Sequence, residues 1–293
     1  MSAAFEVPEV DYSQYSNRQL ATVPLVVLAI ALLILGATFA TTGAPVALGI
    51  DFTGGTEMRV AVDSPSDAAA REQIRSAFAA TPESIRSVPT DGTYVVTFQE
   101  GDAETGALER QAETAGFDIR SIDQVSASFG GDTQVLALGG VVAAFAGMSV
   151  LVFLMFRTFV PSIAVVVSAF SDIVIPLAVM NVLGIELTLG TVAALLMLIG
   201  YSVDSDILLN NHILRRSGDF YESTYRAMRT GVTMTLTSLS AMAVMALVAT
   251  LFGIQLLSAI GLILVIGLAT DLMNTYMLNL SLLRWYKFEG VSR

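Results

Sequence analysis

Apolar runs of about 20 residues recur through this sequence, and a helical run of that length spans ~30 Å of hydrocarbon. Nothing constrains the fold more. Lipid offers no partner to an open backbone N–H or C=O, so each run must satisfy its own hydrogen bonds as a helix. Six runs qualify, at Ala21–Ala40, Gln134–Phe156, Phe159–Met180, Leu187–Leu209, Gly231–Leu251 and Leu256–Leu283. The last is longer than a straight crossing needs, which implies tilt or an interfacial turn. Charged residues make up 14% of the chain, well below the roughly 25% of soluble domains. The expectation is an α-helical polytopic membrane protein with six transmembrane helices. The first run lies too deep, and lacks a basic leader, to read as a cleaved signal peptide.

Basic residues orient these helices. Nine of the fifteen Lys and Arg fall in segments of one parity: Arg18, Arg157, Arg215, Arg216, Arg226, Arg229, Arg284, Lys287 and Arg293. The opposite hairpin loops, Asn181–Glu186 and Phe252–Gln255, contain none. The positive-inside rule then puts both termini in the cytoplasm of a cell membrane and the long segment after the first helix outside. The expected parts are a cytoplasmic segment 1–20, a first helix 21–41, an extracytoplasmic domain 42–132, five further helices over 133–284 and a cytoplasmic tail 285–293. A net charge of −11 argues against a nucleic-acid surface. The chain has no cysteine, so neither disulfides nor thiolate metal sites are expected. The acidic balance with a single lysine resembles compositions adapted to high salt.

Between residues 42 and 132 the apolar runs give way to alternation, with fifteen Asp and Glu against six Arg. The pattern predicts a strand over Val46–Val62 interrupted at Gly54–Gly55, then a helix over Ser66–Ala80. Strands over Ser84–Pro89 and Thr93–Gln99 follow, then a helix over Asp102–Ala115 and a last strand over Asp118–Ser128, with Ile119, Ile122 and Val125 inward. The order βαββαβ is that of a ferredoxin-like module. It contains no His or Cys, so metal binding is not expected there. The opening string Gly49-Ile50-Asp51-Phe52-Thr53-Gly54-Gly55-Thr56 reads as a strand with a glycine bulge where another backbone comes close. A phosphate loop would need a Lys and a following helix, so no nucleotide cofactor is expected.

Four carboxylates interrupt the apolar runs: Asp172, Asp204, Asp206 and Asp271. An ionised Asp at the centre of a span costs roughly 2.5–3.5 kcal/mol, so such positions are candidate functional sites. Counting ~1.5 Å per residue, Asp204 lies about 8 Å and Asp172 about 20 Å from the cytoplasmic end of its helix. Hydrocarbon favours the uncharged form of an acid, which is what a proton carrier needs. The alternative is an acid kept protonated by hydroxyls of adjoining helices, for which Ser168, Ser171, Ser202, Thr235, Thr237 and Thr270 are the candidates. As candidate functional acids Asp204 and Asp172 lead, Asp271 follows, and Asp206 reads as interfacial. His212 reads as a solvated residue at a helix end. Pro176 is expected to kink the third helix one turn from Asp172. Gly139, Gly140, Gly147, Gly261 and Gly267 suit close helix packing.

Three strings occur in order: Gly49–Thr56, Phe170-Ser171-Asp172-Ile173, and Ile199-Gly200-Tyr201-Ser202-Val203-Asp204. With the span count and the domain after the first span, they resemble the SecF family over residues 20–288. Gly49, Asp51, Phe52, Gly54 and Gly55 fall in an FTGGT-type signature of that family, and Gly200 and Tyr201 in its fourth-span string. The resemblance implies a place in the resistance–nodulation–division superfamily, and an archaeal version suits the composition. It implies SecD as partner and work beside a SecYEG-type channel on unfolded exported polypeptide, amid membrane lipid. It also implies use of the proton-motive force or a sodium gradient, with Asp204, Asp172, Asp271 and Asp206 as ion-coupling candidates. Two departures stand out. Where bacterial SecF carries an Arg before a Thr-Ser pair in span 5, this chain has Thr233 ahead of Thr237-Ser238. Where it carries an acidic–basic string after span 4, this chain has Asn211-His212-Ile213-Leu214-Arg215-Arg216. The first departure removes a counter-cation from the implied relay.

Two other readings fit the hydropathy. One is a half-transporter that exports lipid or small molecules by pairing with another six-span half. The other is a structural membrane subunit without ion coupling. No nucleophile–base set, metal cluster or nucleotide loop is visible, so an enzyme is not expected.

Overall fold

Polar caps set where the first apolar run becomes a helix. α1 (Asn17–Thr42) starts at a capping box in which Ser16 and Gln19 each bond the other's backbone N–H, and it stops at Gly43, whose φ of 79° is left-handed. The computed structural model describes residues 11–88, 92–215 and 219–290. Pro89, Arg216, Arg293 and the first half of segment 1–20 lie outside the described residues.

The α/β domain follows, as α2 (Ile50–Thr53), β1 (Gly55–Ala61), α3 (Asp67–Ala77), β2 (Ser84–Val88), β3 (Thr93–Phe98), α4 (Thr105–Thr114) and β4 (Asp118–Val125). The sheet order is β2-β3-β1-β4, with every pairing antiparallel. Met58, Val60, Val96 and Phe98 of the sheet meet Ile74 of α3 and Leu108 of α4 in one core. Ile119 and Ile122 both pack against it, although a spacing of three puts residues on opposite faces of a regular strand. A bulge opposite Arg59 and Val60 absorbs the extra residue.

Two expectations are corrected. Val46–Val62 is not one strand: residues 50–53 close a helical turn and the strand begins at Gly55. Gly55 has a φ of 131°, and a Cβ there would run into the Phe98 carbonyl of β3. The bulge reading of this glycine pair therefore holds for backbone approach, but the chain before it turns instead of extending. The last strand ends at Val125, because Ser126 leaves the sheet to cap the next helix by accepting from the N–H of Phe129.

The remaining spans are α5 (Ala127–Phe156), α6 (Phe159–Leu183), α7 (Leu189–Arg215), α8 (Phe220–Leu251) and α9 (Gln255–Met273). α9 runs on through a π-helical turn at Asn274–Asn279 into α10 (Leu280–Trp285) and a second π turn to Gly290. Among the described residues six helical stretches are long and apolar enough to cross a membrane, the last spanning Gln255–Gly290. α6 is the central helix, buried along most of its course, and α1 covers one side of it through Leu28 and Ala31 against Val174, Ile175 and Ala178. α5 and α8 present rows of exposed apolar side chains, among them Leu136, Leu151, Val244 and Leu251. Such rows carry no penalty against lipid tails. Gly261 and Gly267 press against Ala246 and Leu198, as expected, whereas Gly139, Gly140 and Gly147 face open space and serve no close packing in this chain.

Replacing Gly55 with Ala forces a side chain into a left-handed position against the Phe98 carbonyl. The expected loss is about 1–3 kcal/mol, read as earlier thermal unfolding and faster proteolysis within residues 55–125.

Candidate functional site

Three helices bring three carboxylates together inside the bundle. Asp172 comes from α6, Asp206 from α7 and Asp271 from α9, and each is 0% exposed. Ser202 Oγ donates to Asp172 Oδ2 at 2.5 Å and Asn274 Nδ2 donates to Asp172 Oδ1 at 2.6 Å. Asn279 Nδ2 and Thr275 Oγ1 donate to Asp206 Oδ1 at 2.7 and 2.8 Å. Ser205 Oγ reaches Asp271 Oδ2 at 2.9 Å, and Thr275 Oγ1 also lies 3.2 Å from Asp271 Oδ1. Every one of these donors is neutral.

Thr275 makes the chemistry specific. Its hydroxyl has a single hydrogen yet touches two carboxyl groups, and it can give that hydrogen to only one of them. The other contact is a hydrogen bond only when that carboxyl carries a proton and donates. The arrangement can therefore hold and hand on a proton between α7 and the sixth span without a charged partner.

The four acids singled out in the sequence divide three to one. Asp172, Asp206 and Asp271 share the cluster. Asp204 lies on an exposed face of α7 with Gly200 and Tyr201, beside a groove lined also by Thr235 and Ser238 of α8. The interfacial reading of Asp206 is thus corrected: Asp206 enters the cluster and Asp204 does not. Two residues along a helix turn the side chain by about 200°, so only one of the pair can face inward. Of the expected hydroxyl partners Ser202 is in place. Thr237 and Thr270 bond carbonyls of their own helices instead. Thr233 likewise bonds the Arg229 carbonyl at 2.7 Å. His212 is buried, not solvated, with Nδ1 2.8 Å from the Leu208 carbonyl one turn back.

Asn274, Thr275, Asn279 and Ser205 were not singled out from the sequence. Two amides inside an apolar span are a signal of the same kind as the acids. They sit five apart, a spacing that regular helical periodicity separates and that the π turn brings together.

A second constellation joins the domain to the bundle. Gly49 N donates to the Leu187 carbonyl at 2.8 Å and Leu187 N to the Ala47 carbonyl at 2.7 Å, a parallel bridge between the chain after α1 and the α6–α7 loop. Asp51 Oδ2 accepts from Leu189 N at 2.9 Å and so caps α7 from a distant segment. Phe52, 3% exposed, inserts into the apolar core of the bundle with Val46, Leu187 and Val192. Asn181 at the end of α6 holds the Pro45 carbonyl at 2.7 Å. Across this joint Arg86 of β2 faces Glu57 at 3.8 Å and Glu186 at 3.5 Å. Burial pushes both glutamates above the usual carboxylate range, outweighing the pull of Arg86.

Comparison with known proteins places this arrangement. The description "Protein export membrane protein SecD/SecF, C-terminal" matches residues 106–289, and "SecD/SecF GG Motif" matches residues 39–66. The protein-export membrane protein SecF of Haloferax volcanii is 72% identical over 289 residues, covering 99% of each chain. That of Haloquadratum walsbyi is 69% identical over 295 residues, and that of Methanolacinia petrolearia 42% over 281. The chain belongs to the SecF family. Among solved structures, SecDF of Thermus thermophilus, described as a translocon-associated membrane protein, superposes with a TM-score of 0.73 at 18% identity. It shares the fold over 98% of this chain, which spans 40% of the length of that longer one. The family's GG motif thus coincides with the joint between domain and bundle. Gly49, Asp51 and Phe52 bind the α6–α7 hairpin, while Gly54 and Gly55 turn the chain into the sheet.

The joint has a defined pH response. An acid whose folded pKa is raised binds its proton more tightly folded than unfolded, so the charge penalty is complete above the folded value and lifts as pH falls through it. The domain attachment should therefore strengthen on acidification from neutral toward 4.5, the ordinary Glu value. Arg86→Ala should cost about 1 kcal/mol at neutral pH, since these groups are partly exposed, and less under acid. Glu186→Gln should be near neutral. Thermal melts of each variant at two pH values check the sign.

Proposed function

We propose that this SecF chain is an accessory, non-enzymatic subunit of the Sec export machinery. In this reading it pairs with SecD beside a SecYEG-type channel and couples ion movement through its bundle to work on exported polypeptide. The observation that carries the coupling is the cluster of Asp172, Asp206 and Asp271, bound only by neutral donors. Adding or removing a proton there exchanges donors for acceptors between α6, α7 and the sixth span, and so changes how those helices hold one another.

The joint supplies the transmission. α7 carries Asp206 and is capped by Asp51; α6 carries Asp172 and ends at Asn181. A shift of either helix is passed to the domain through these side-chain contacts and the backbone bridge at Leu187. The distribution of basic residues supports a topology with both termini in the cytoplasm and the domain outside, on the side where exported polypeptide emerges.

Asp204 supports the pairing. A carboxylate on an exposed face of a membrane helix is costly in lipid, so that face of α7 needs a protein cover. The 40% share of the longer SecDF chain leaves room for a second half to provide it. A tagged chain extracted in mild detergent should bring down SecD; recovery of the chain alone under conditions that keep it folded would end the pairing.

Export of a secreted reporter tests the coupling. Asp172→Asn, Asp206→Asn and Asp271→Asn should each bring export down to the level of a strain lacking the chain. Full export in all three would leave a structural subunit without ion coupling. Asp204→Asn should instead reduce SecD recovery.

A further inference from the structure

At the end of the bundle that holds both termini, the last turns of the sixth span meet the segment before α1. Arg284 Nη1 donates to the Tyr12 and Tyr15 carbonyls at 3.1 and 2.6 Å, and its guanidinium lies 5.7 Å from the centre of the Tyr221 ring of α8. Tyr12 packs against the core of Leu209, Phe220, Met228 and Leu280. Beside these contacts lies a cleft of about 760 Å³, walled by Arg18, Tyr221, Arg284, Trp285, Phe288 and Glu289. Two arginines thus line it against one acid. Neither arginine has a carboxylate within ion-pair distance among the described residues, and the Arg18 side chain makes no hydrogen bond to any of them. α1 brings no compensation. Its first turn holds Arg18 and no acid, at the helix end whose dipole disfavours a cation.

We propose that this cleft binds the phosphodiester headgroup of an anionic membrane lipid, held by Arg18 and Arg284. Basic pockets between helix ends are where such headgroups bind. The level is right. The apolar run of α1 begins at Ala21 and that of the sixth span ends at Leu283, so the cleft lies where hydrocarbon gives way to headgroups. Trp285, 44% exposed on its wall, is a residue type enriched at that boundary. A guanidinium grips phosphate oxygens with a fork of N–H groups, and Arg284 spends only Nη1 on carbonyls. What selects a lipid over a free phosphate lies along α1. Leu25, Ala29 and Leu32 follow Arg18 by 7, 11 and 14 residues, so they share its face of the helix, and all are exposed. Acyl tails cover that stripe while the headgroup sits at its end. The bound phosphate then ties the start of α1 to the end of the sixth span. The site lies apart from the carboxylate cluster and needs neither ion coupling nor a second chain.

Trp285 is the chain's single tryptophan, so its fluorescence reports on the cleft. The full chain is reconstituted in vesicles of phosphatidylcholine and phosphatidylglycerol, with brominated tails on one lipid or the other to quench the indole. Phosphatidylglycerol should be preferred beside Trp285 by about 25-fold, roughly fivefold for each arginine near an anionic headgroup. Arg18→Gln should lower the preference to about fivefold. Brominated phosphatidylcholine should still quench that variant, which shows the helix end in place at the boundary. Arg157→Gln removes a basic residue that does not line the cleft, and should leave the preference as it is in the parent. Soluble glycerol 3-phosphate should not relieve quenching by brominated phosphatidylglycerol; relief would assign the site to free phosphate and overturn the lipid. Equal quenching by the two lipids in the parent, or the same loss in Arg157→Gln as in Arg18→Gln, overturns the site.

Discussion

Three carboxylates sit inside this bundle because neighbouring helices aim neutral hydrogen-bond donors at them. Without the amides of Asn274 and Asn279 and the hydroxyls of Ser202, Ser205 and Thr275, each acid would face hydrocarbon with nothing to offset its polarity. The dependence is mutual. The π turn at 274–279 breaks the regular backbone ladder of the sixth span, and the contacts its side chains make to Asp172 and Asp206 offset that disruption. The packing of α6, α7 and the sixth span is therefore specified by polar contacts at its centre. Lipid-facing apolar residues, which gain little from choosing one neighbour over another, cannot specify it.

The domain depends on the same three-helix unit from outside. Its own core is small and closed, and beside the Arg86–Glu186 ion pair and the continuation of β4 into α5 it is tied to the bundle by the segment running from Pro45 to Gly55. There Phe52 enters the bundle core, Asp51 caps α7, and Ala47 and Gly49 pair with Leu187. The signature string is thus neither a ligand loop nor a plain strand. It is a short turn that makes the start of the domain part of the bundle.

How much of this could be read in advance follows from which physical signal each feature leaves. The six spans were legible because hydropathy over 20 residues is a strong one-dimensional signal, and the βαββαβ order because alternation and caps are local. The turn at Ile50–Thr53 was not, because what fixes it is Leu187, more than a hundred residues away. The choice between Asp204 and Asp206 was not, because depth is encoded by position whereas the direction a side chain points is encoded by amphipathicity, and a helix apolar on nearly every side has little. Ser202 was within reach as a partner of Asp172; Asn274 and Asn279 were hidden by a five-residue spacing that only a π turn reconciles.

The seat of α5 has a consequence of a different kind. Most of that helix faces outward, and its rotation is fixed at both ends: Met148, Val152 and Phe156 enter the bundle core, and in the first turn Gly130 lies against the backbone of Phe52 and Gly54 so closely that a Cβ would stand 3.0 Å from the Phe52 carbonyl oxygen. Along its lipid face one apolar residue serves as well as another. Length is a different matter: one residue added between Gly130 and the turn at Arg157 would rotate one end against the other by about 100°. The helix would have to give up either the domain contact or its place beside α6. The lipid face of α5 therefore accepts exchange among apolar residues, whereas its residue count does not accept change.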